Sequence, residues 1–288
     1  MKPFFLILPL VLCITGCKQN EFADLNNTEW IHGSPDCAAN QDPPIQVLDY
    51  GSNTWVFRQN KCIHYEAPFM FLFEGREKAL LVDTGAPYGN KAFPLEEMIR
   101  VIIKEKELIV VHTHTHGDHH AADSQFAGKP HTTVVGWSLE EVQAYFRLSG
   151  WPDQTARVAL GDRDIEVIPI PGHDKASVAY YDPVSRLLLS GDSFYPGRLY
   201  VRDWDAFRKS IDRLSEFCVQ HQVEYLVGNH IEMTMTFGKD YPTGTTFQPD
   251  EHPLPLRFEQ LRILRDSLNL MDVPARKVFD EFIVEPVE

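Results

Sequence analysis

Leu108-Ile109-Val110-Val111-His112-Thr113-His114-Thr115-His116-Gly117-Asp118-His119-His120 runs from four consecutive apolar residues straight into five histidines and an aspartate. The unbroken apolar run predicts a strand over 108–112 that feeds a loop crowded with ligand-type side chains. In extended backbone, residues two apart point the same way. His114 and His116 can therefore share one ion, while Asp118 and His119 just beyond can face a second.

Three further candidates lie at the ends of predicted strands. His173 follows 165–170 in Pro171-Gly172-His173, Asp192 follows 187–190 in Ser190-Gly191-Asp192, and His230 follows 224–227 in Gly228-Asn229-His230. A nearby glycine lets each backbone turn sharply and approach an ion closely. The set offers five imidazoles, two carboxylates and no sulfur. It suits two borderline divalent ions, zinc first, with iron and manganese as alternatives. Of the other histidines, His112 and His120 are expected beside the site or in solvent. His32, His64, His131 and His221 are expected at the surface or in packing. His252 is expected there too, although its long loop can overhang the metals.

In motif, order and spacing, these residues resemble the metallo-β-lactamase superfamily over roughly 51–230. The resemblance implies an α+β fold, a four-layer αββα sandwich. It also implies His114, His116 and His173 on one metal, Asp118, His119 and His230 on the other, and Asp192 bridging. Asp83-Thr84-Gly85 looks like the family's early Asp motif, which would make Asp83 a hydrogen-bond partner that holds a ligand imidazole from behind.

The expected function is a dinuclear metal-dependent hydrolase that attacks the acyl carbon of a thioester, lactone or ester with a metal-bridging hydroxide. Metal ions bring the pKa of water from near 16 to about 7, so no protein nucleophile is required. Asp118 is expected to orient that water. Tyr195 is the candidate phenol beside the carbonyl, with Arg198 nearby and core packing as the aromatic's alternative. β-Lactamases of the superfamily carry Cys or Ser where this chain has Asp192, so β-lactamase activity is a minority reading. Phosphodiesterase and non-catalytic metal-binding lipoprotein are the remaining alternatives. The expected partner is a small-molecule substrate. Arg257, Arg262 and Arg265 could bind an anionic tail, but a solvated helix face is the simpler reading.

Forty-one acidic against 27 basic residues give a net charge of −14, which repels polyphosphate, so no nucleic-acid partner is expected. At 288 residues and 43% hydrophobic content, the chain can bury a large core without staples. Phe4 through Ile14 form an uncharged, mainly apolar run after Lys2, with the proportions of a signal peptide. Ile14-Thr15-Gly16-Cys17 resembles a bacterial lipobox. The expectation is a lipoprotein signal at 1–16 and a lipid anchor at Cys17, on an outer membrane facing the periplasm or on the cell surface. No later stretch approaches the roughly 20 apolar residues of a spanning helix. In an oxidising compartment Cys37 and Cys62 can pair, and Cys218 is expected on the buried side of a helix.

The chain divides by expectation into an anchor linker and N-terminal extension at 17–50 and a hydrolase domain at 51–288, with a C-terminal loop and helix in 231–288. Strands are predicted at 55–58, 69–74, 79–83, 165–170, 178–181, 187–190 and, last, 224–227. Helices are predicted at 95–103, from a capping box at Ser138 and Glu141 to about 148, after Asp203, and at 256–270.

Overall fold

In the strand Phe69–Glu74 every side chain but the last is buried, so both of its faces must be covered. Alternate residues go to different places. Phe69, Phe71 and Phe73 share a core with Val178, Tyr180, Leu187 and Leu189 of a second sheet. Met70 and Leu72 pack instead with Leu95, Ile99 and Ile103 of a helix. This period of two turns one strand into the wall between two cores.

The computed structural model describes residues 22–87 and 92–287. The expected signal peptide and Cys17 lie outside the described residues. The first sheet runs in chain order through β1 (Ile45–Gly51), β2 (Thr54–Gln59), β3 (Phe69–Glu74), β4 (Lys78–Val82), β5 (Glu107–Val111) and β6 (Thr132–Val134). It is antiparallel up to β4 and parallel from there. The second sheet holds β7 (Ala156–Ala159), β8 (Asp164–Pro169), β9 (Val178–Asp182) and β10 (Leu187–Gly191). The chain then leaves it for β11 (Arg198–Val201) and returns as β12 (Tyr225–Gly228), parallel to β10, with β13 (Pro255–Leu256) at the edge. Near the C-terminus β14 (Lys277–Val278) and β15 (Ile283–Pro286) join β11 in a small sheet ordered β11-β15-β14.

Helix α1 (Leu95–Ile103) covers the outer face of the first sheet. Helix α2 (Leu139–Phe146) sends Val142 and Phe146 into the core between the sheets. Helices α3 (Trp204–Gln220) and α4 (Phe258–Asn269) cover the second sheet through Phe207, Ile211, Leu214, Leu261 and Leu264. The layers are therefore αββα. Both expected caps are present: Ser138 Oγ accepts from the Glu141 N–H, and the Asp203 carboxylate accepts from the Ala206 N–H. Among the described residues no helix is long and apolar enough to cross a membrane.

Two expectations need correction. The boundary at residue 51 cuts through the β1–β2 hairpin, and Leu25 and Trp30 upstream are buried in the core between the sheets. Those two apolar residues stand in a polar, aperiodic stretch, so no pattern marks their burial. The strand predicted at 224–227 is also not the last. β13 and β15 contain Pro255 and Pro286, which read as loop residues but are tolerated here, Pro255 opening an edge strand and Pro286 closing the central strand beyond its pairing with β14. Cys37 and Cys62 are disulfide-bonded, with Cα atoms 5.1 Å apart. The bond ties the irregular lead-in to the segment after β2. Cys218 is free and buried.

Candidate metal centre

All seven candidate ligands sit just past strand ends, where the two sheets meet. His114, His116, Asp118 and His119 follow β5, His173 follows β8, Asp192 follows β10 and His230 follows β12. The glycine argument holds at all three of the later turns and is plainest at two. Gly172 has φ +143°, and a Cβ there would lie 2.4 Å from Phe207 Cα. A Cβ on Gly228 would lie 2.3 Å from Tyr195 Cβ.

The side chains form two groups. His114 Nε2 and His173 Nε2 lie 2.9 and 3.1 Å from His116 Nδ1. Three nitrogens so spaced fit one ion with bonds of about 2.0–2.1 Å. In the other group, Asp118 Oδ2 lies 3.1 Å from His119 Nε2 and 3.2 Å from His230 Nε2. Asp192 belongs to both. Its Oδ2 is 3.8 Å from His114 and His173 and 3.6 Å from His119, while Oδ1 is 3.4 Å from His230. Within each group the donor atoms lie within 4.8 Å of one another.

The far side of each ring is held by protein. His173 Nδ1 donates to the Tyr200 carbonyl at 2.8 Å, and His230 Nδ1 to the Glu66 carbonyl at 3.0 Å. His119 Nδ1 donates to Asp83 Oδ2 at 3.0 Å. A ring that gives its Nδ1 proton away presents a bare Nε2 lone pair to the site. Asp83 is completely buried and adopts φ +66°, a conformation Asp tolerates better than most residues. It also accepts from the Thr113 N–H and hydroxyl, both at 2.8 Å, and from Asn229 Nδ2 at 2.7 Å. One carboxylate thus joins the ends of β4, β5 and β12. Replacing Asp83 by Ala would strand several buried donors, at about 1–3 kcal/mol each. The expected result is a clearly lowered Tm and metal affinity weakened roughly 10- to 100-fold, measured by competition with a chelator. Wild-type affinity in the variant would contradict this role.

Electrostatics and unsatisfied atoms both fit cations. Burial acts to raise the Asp118 and Asp192 carboxyls, but His119 and His230 outweigh it and hold both well below the usual range. Burial pushes the His114 imidazole well below its ordinary value, with His119 adding to the effect. It takes His173 down to about 4 against the opposing pull of Asp192. His114 and His173 are therefore neutral lone-pair donors at neutral pH, whereas at His119 and His230 burial is outweighed by Asp118 and Asp192, which raise both imidazoles well above the ordinary value, so a cation bound there takes the place of their protons. His119 Nε2 and Asp192 Oδ1 are buried without a hydrogen-bond partner, an arrangement that is costly unless an ion satisfies it.

The groups open into a cavity of about 360 Å³ whose lining includes Lys61, Glu66, Arg202 and Gln248. Tyr195 lines it too, but its hydroxyl donates to the Arg198 carbonyl at 2.6 Å. A phenol has one proton to give, so this arrangement corrects the expectation that Tyr195 polarises the substrate carbonyl. Its ring instead packs edge-on to His230, with centroids 5.8 Å apart. Arg198 is equally committed. It pairs with Glu232 at 3.0 Å and with Asp240, and donates to the Tyr241 carbonyl at 2.8 Å, clamping the long loop beside the site.

His112 Nε2 meets Asp123 at 2.9 Å, and His120 stacks on Trp137 at 4.5 Å between centroids. His252 lines a different cavity with Trp30 and Met235, so it does not overhang the ligands. From the same loop Pro242, Thr243 and Gly244 do reach the site's cavity. Arg257, Arg262 and Arg265 pair with Glu224, Glu259 and Asp266. Sequence reasoning missed Thr113, Asn229, Lys61 and Arg202. Arg202 Nη1 stands 3.1 Å from His116 Nε2. Thr113, inside the histidine motif, and Asn229, beside His230, had a positional signal; Lys61 and Arg202 had none.

Comparison with known proteins agrees with this geometry. The family described as Metallo-beta-lactamase superfamily matches residues 66–243. The chain is similar to acyl-coenzyme A thioesterase MBLAC2 of Homo sapiens, 25% identical over 214 residues that cover 59% of this chain and 74% of that protein. It is also similar to a hydroxyacylglutathione hydrolase of Aeromonas hydrophila subsp. hydrophila, 24% identical over 212 residues covering 72% of this chain and 76% of that protein. Among solved structures, a metallo-beta-lactamase from Pontibacter korlensis is similar, with a TM-score of 0.49 and 20% identity over 79% of this chain and all 100% of the other. Because the matched span contains every one of the clustered donors, the chain belongs to the metallo-β-lactamase superfamily and is one of its metal-dependent hydrolases.

Proposed function

We propose that the chain hydrolyses thioesters at a dinuclear zinc centre. The observation that carries this reading is Asp192, a carboxylate common to both donor groups, and the thioesterase and hydroxyacylglutathione hydrolase relatives support it. His114 Nε2, His116 Nδ1 and His173 Nε2 would hold one ion, Asp118, His119 and His230 the other, with Asp192 between. Bound divalent ions supply Lewis acidity and make water a nucleophile near neutral pH.

The protein's own part is orientation and proton handling. Asp83, Tyr200 and Glu66 lock the rings of His119, His173 and His230 through the hydrogen bonds described above, so no reorganisation is needed when substrate arrives. Asp118 orients the attacking water and takes its proton at the carboxylate. The proposed setting is an exported lipoprotein anchored at Cys17, with a small molecule as its substrate. The apolar run before Cys17 supports export, as does the Cys37–Cys62 bond, which suits an oxidising compartment.

The test is turnover of an acyl thioester, a homoserine lactone and nitrocefin by one zinc-loaded preparation. The thioester is expected to be the fastest. A preparation with full metal content that turns over nitrocefin or the lactone faster than the thioester contradicts the substrate class.

A further inference from the structure

Lys61 lies on the segment between β2 and β3, next to the disulfide, and lines the same cavity as the metal ligands. It is 2% exposed, which is unusual for a lysine without a carboxylate of its own. The nearest carboxylate is already taken. Arg58, also fully buried, donates to both oxygens of Glu251 at 2.5 and 2.6 Å. Lys61 Nζ stays 3.7 Å from one of those oxygens and donates to the Tyr65 carbonyl at 3.2 Å. Two cations thus share one anion. Glu232, another acidic side chain in the cavity wall, is held by Arg198 at 3.0 Å. Burial pushes the Lys61 ammonium down to about 8 against the pull of Glu251, as expected of a charge short of partners.

A second polar group in the wall is also unsatisfied. Gln248 is 5% exposed, and its side-chain oxygen is buried without a partner. Oxygen and nitrogen of such an amide exchange places by a flip, so it can offer either an acceptor or donors. An ammonium with spare N–H groups and an uncommitted amide, both desolvated, make a site for an anion. Arg202 also lines the cavity but is exposed, so it lacks the desolvation that would make a single ion pair with Lys61 strong.

We propose that Lys61 and Gln248 form an anchoring subsite for a carboxylate on the substrate, away from the bond that is cleaved. This rests on the thioesterase reading and adds to it the charge class of the substrate. The carboxylate can belong to the acyl half or to the thiol half. A low-dielectric pocket makes the pairing stronger than the same contact in water, and it relieves a buried charge that is otherwise poorly compensated.

The zinc-loaded full chain would be assayed on three thioesters: neutral S-ethyl thioacetate, S-acetyl-3-mercaptopropionate, and the S-ethyl monothioester of succinate. Lys61→Met keeps the aliphatic stem and removes the charge. The expected result is that kcat/KM for one of the two carboxylate-bearing substrates, relative to the neutral one, falls at least ten-fold, carried mainly by KM. The substrate affected identifies the half. Gln248→Leu should lower the same ratio about three-fold, and it decides the matter if Lys61→Met does not fold. Equal losses on all three substrates, or no change in either ratio, overturn the subsite. If the wild type cleaves none of the three, the thioesterase reading falls and the subsite is judged by glutarate binding in a calorimeter. A dissociation constant weakened at least five-fold by Lys61→Met upholds it; unchanged binding, or none by the wild type, overturns it.

Discussion

Replacing Asp192 by Asn is expected to lower thioester turnover at least a thousand-fold, about 4 kcal/mol of barrier, and to bring metal content below two ions per chain. Two divalent ions carry four positive charges, and the two donor groups offer only the carboxylates of Asp118 and Asp192 against them. Asn keeps the volume but removes one of those charges, and it leaves a single amide oxygen where two carboxylate oxygens had faced four imidazoles. The fold should survive, because no backbone hydrogen bond depends on the Asp192 side chain among the described residues. Metal analysis and steady-state kinetics on one preparation check the prediction. An Asp192→Asn enzyme with two ions and near-normal turnover would mean that the shared carboxylate is incidental.

Asp118→Asn is expected to cost roughly 10²- to 10⁴-fold in kcat, the range of a positioned general base. Its signature should differ from that of Asp192→Asn. Asp118 touches only the second group, through His119 and His230, so the three-histidine group keeps its donors and one ion should still bind tightly. The expected pattern is one retained ion, a normal fold by circular dichroism, and a lost kcat. A kcat within ten-fold of wild type would remove Asp118 from the proton-handling role.

These roles are legible in the sequence to different degrees. His114, His116, Asp118 and His119 lie in one short run, so closeness in sequence alone places them together, although past Val111 the backbone bends and closes a 3₁₀ turn over Gly117–His119 instead of staying extended. His173, Asp192 and His230 announce themselves only through adjacent glycines and preceding apolar strands, and the superfamily resemblance was needed to join them to the first four. The αββα architecture was legible through the superfamily resemblance, whereas the cover on both faces of Phe69–Glu74 shows only once the second sheet and α1 are packed against it. Lys61 carried no such mark. Its meaning comes from Glu251, some 190 positions away and already claimed by Arg58, and no local pattern reports a partner that distant. Tyr195 failed for a related reason. Its neighbourhood was predicted correctly, but the direction of its hydroxyl is set by the Arg198 carbonyl and Glu232. β11 and β15 went unseen because four-residue strands that pair across more than eighty positions have little signal of their own.

Catalysis in this chain is expected to depend on two cations gathered by these seven side chains. Stepwise removal of metal by a chelator, with ions per chain and thioester turnover measured on the same samples, tests it most directly. Two ions per chain are expected at the start, with turnover that falls as they leave and recovers when zinc is returned. Undiminished turnover in a sample shown to hold no metal would contradict it.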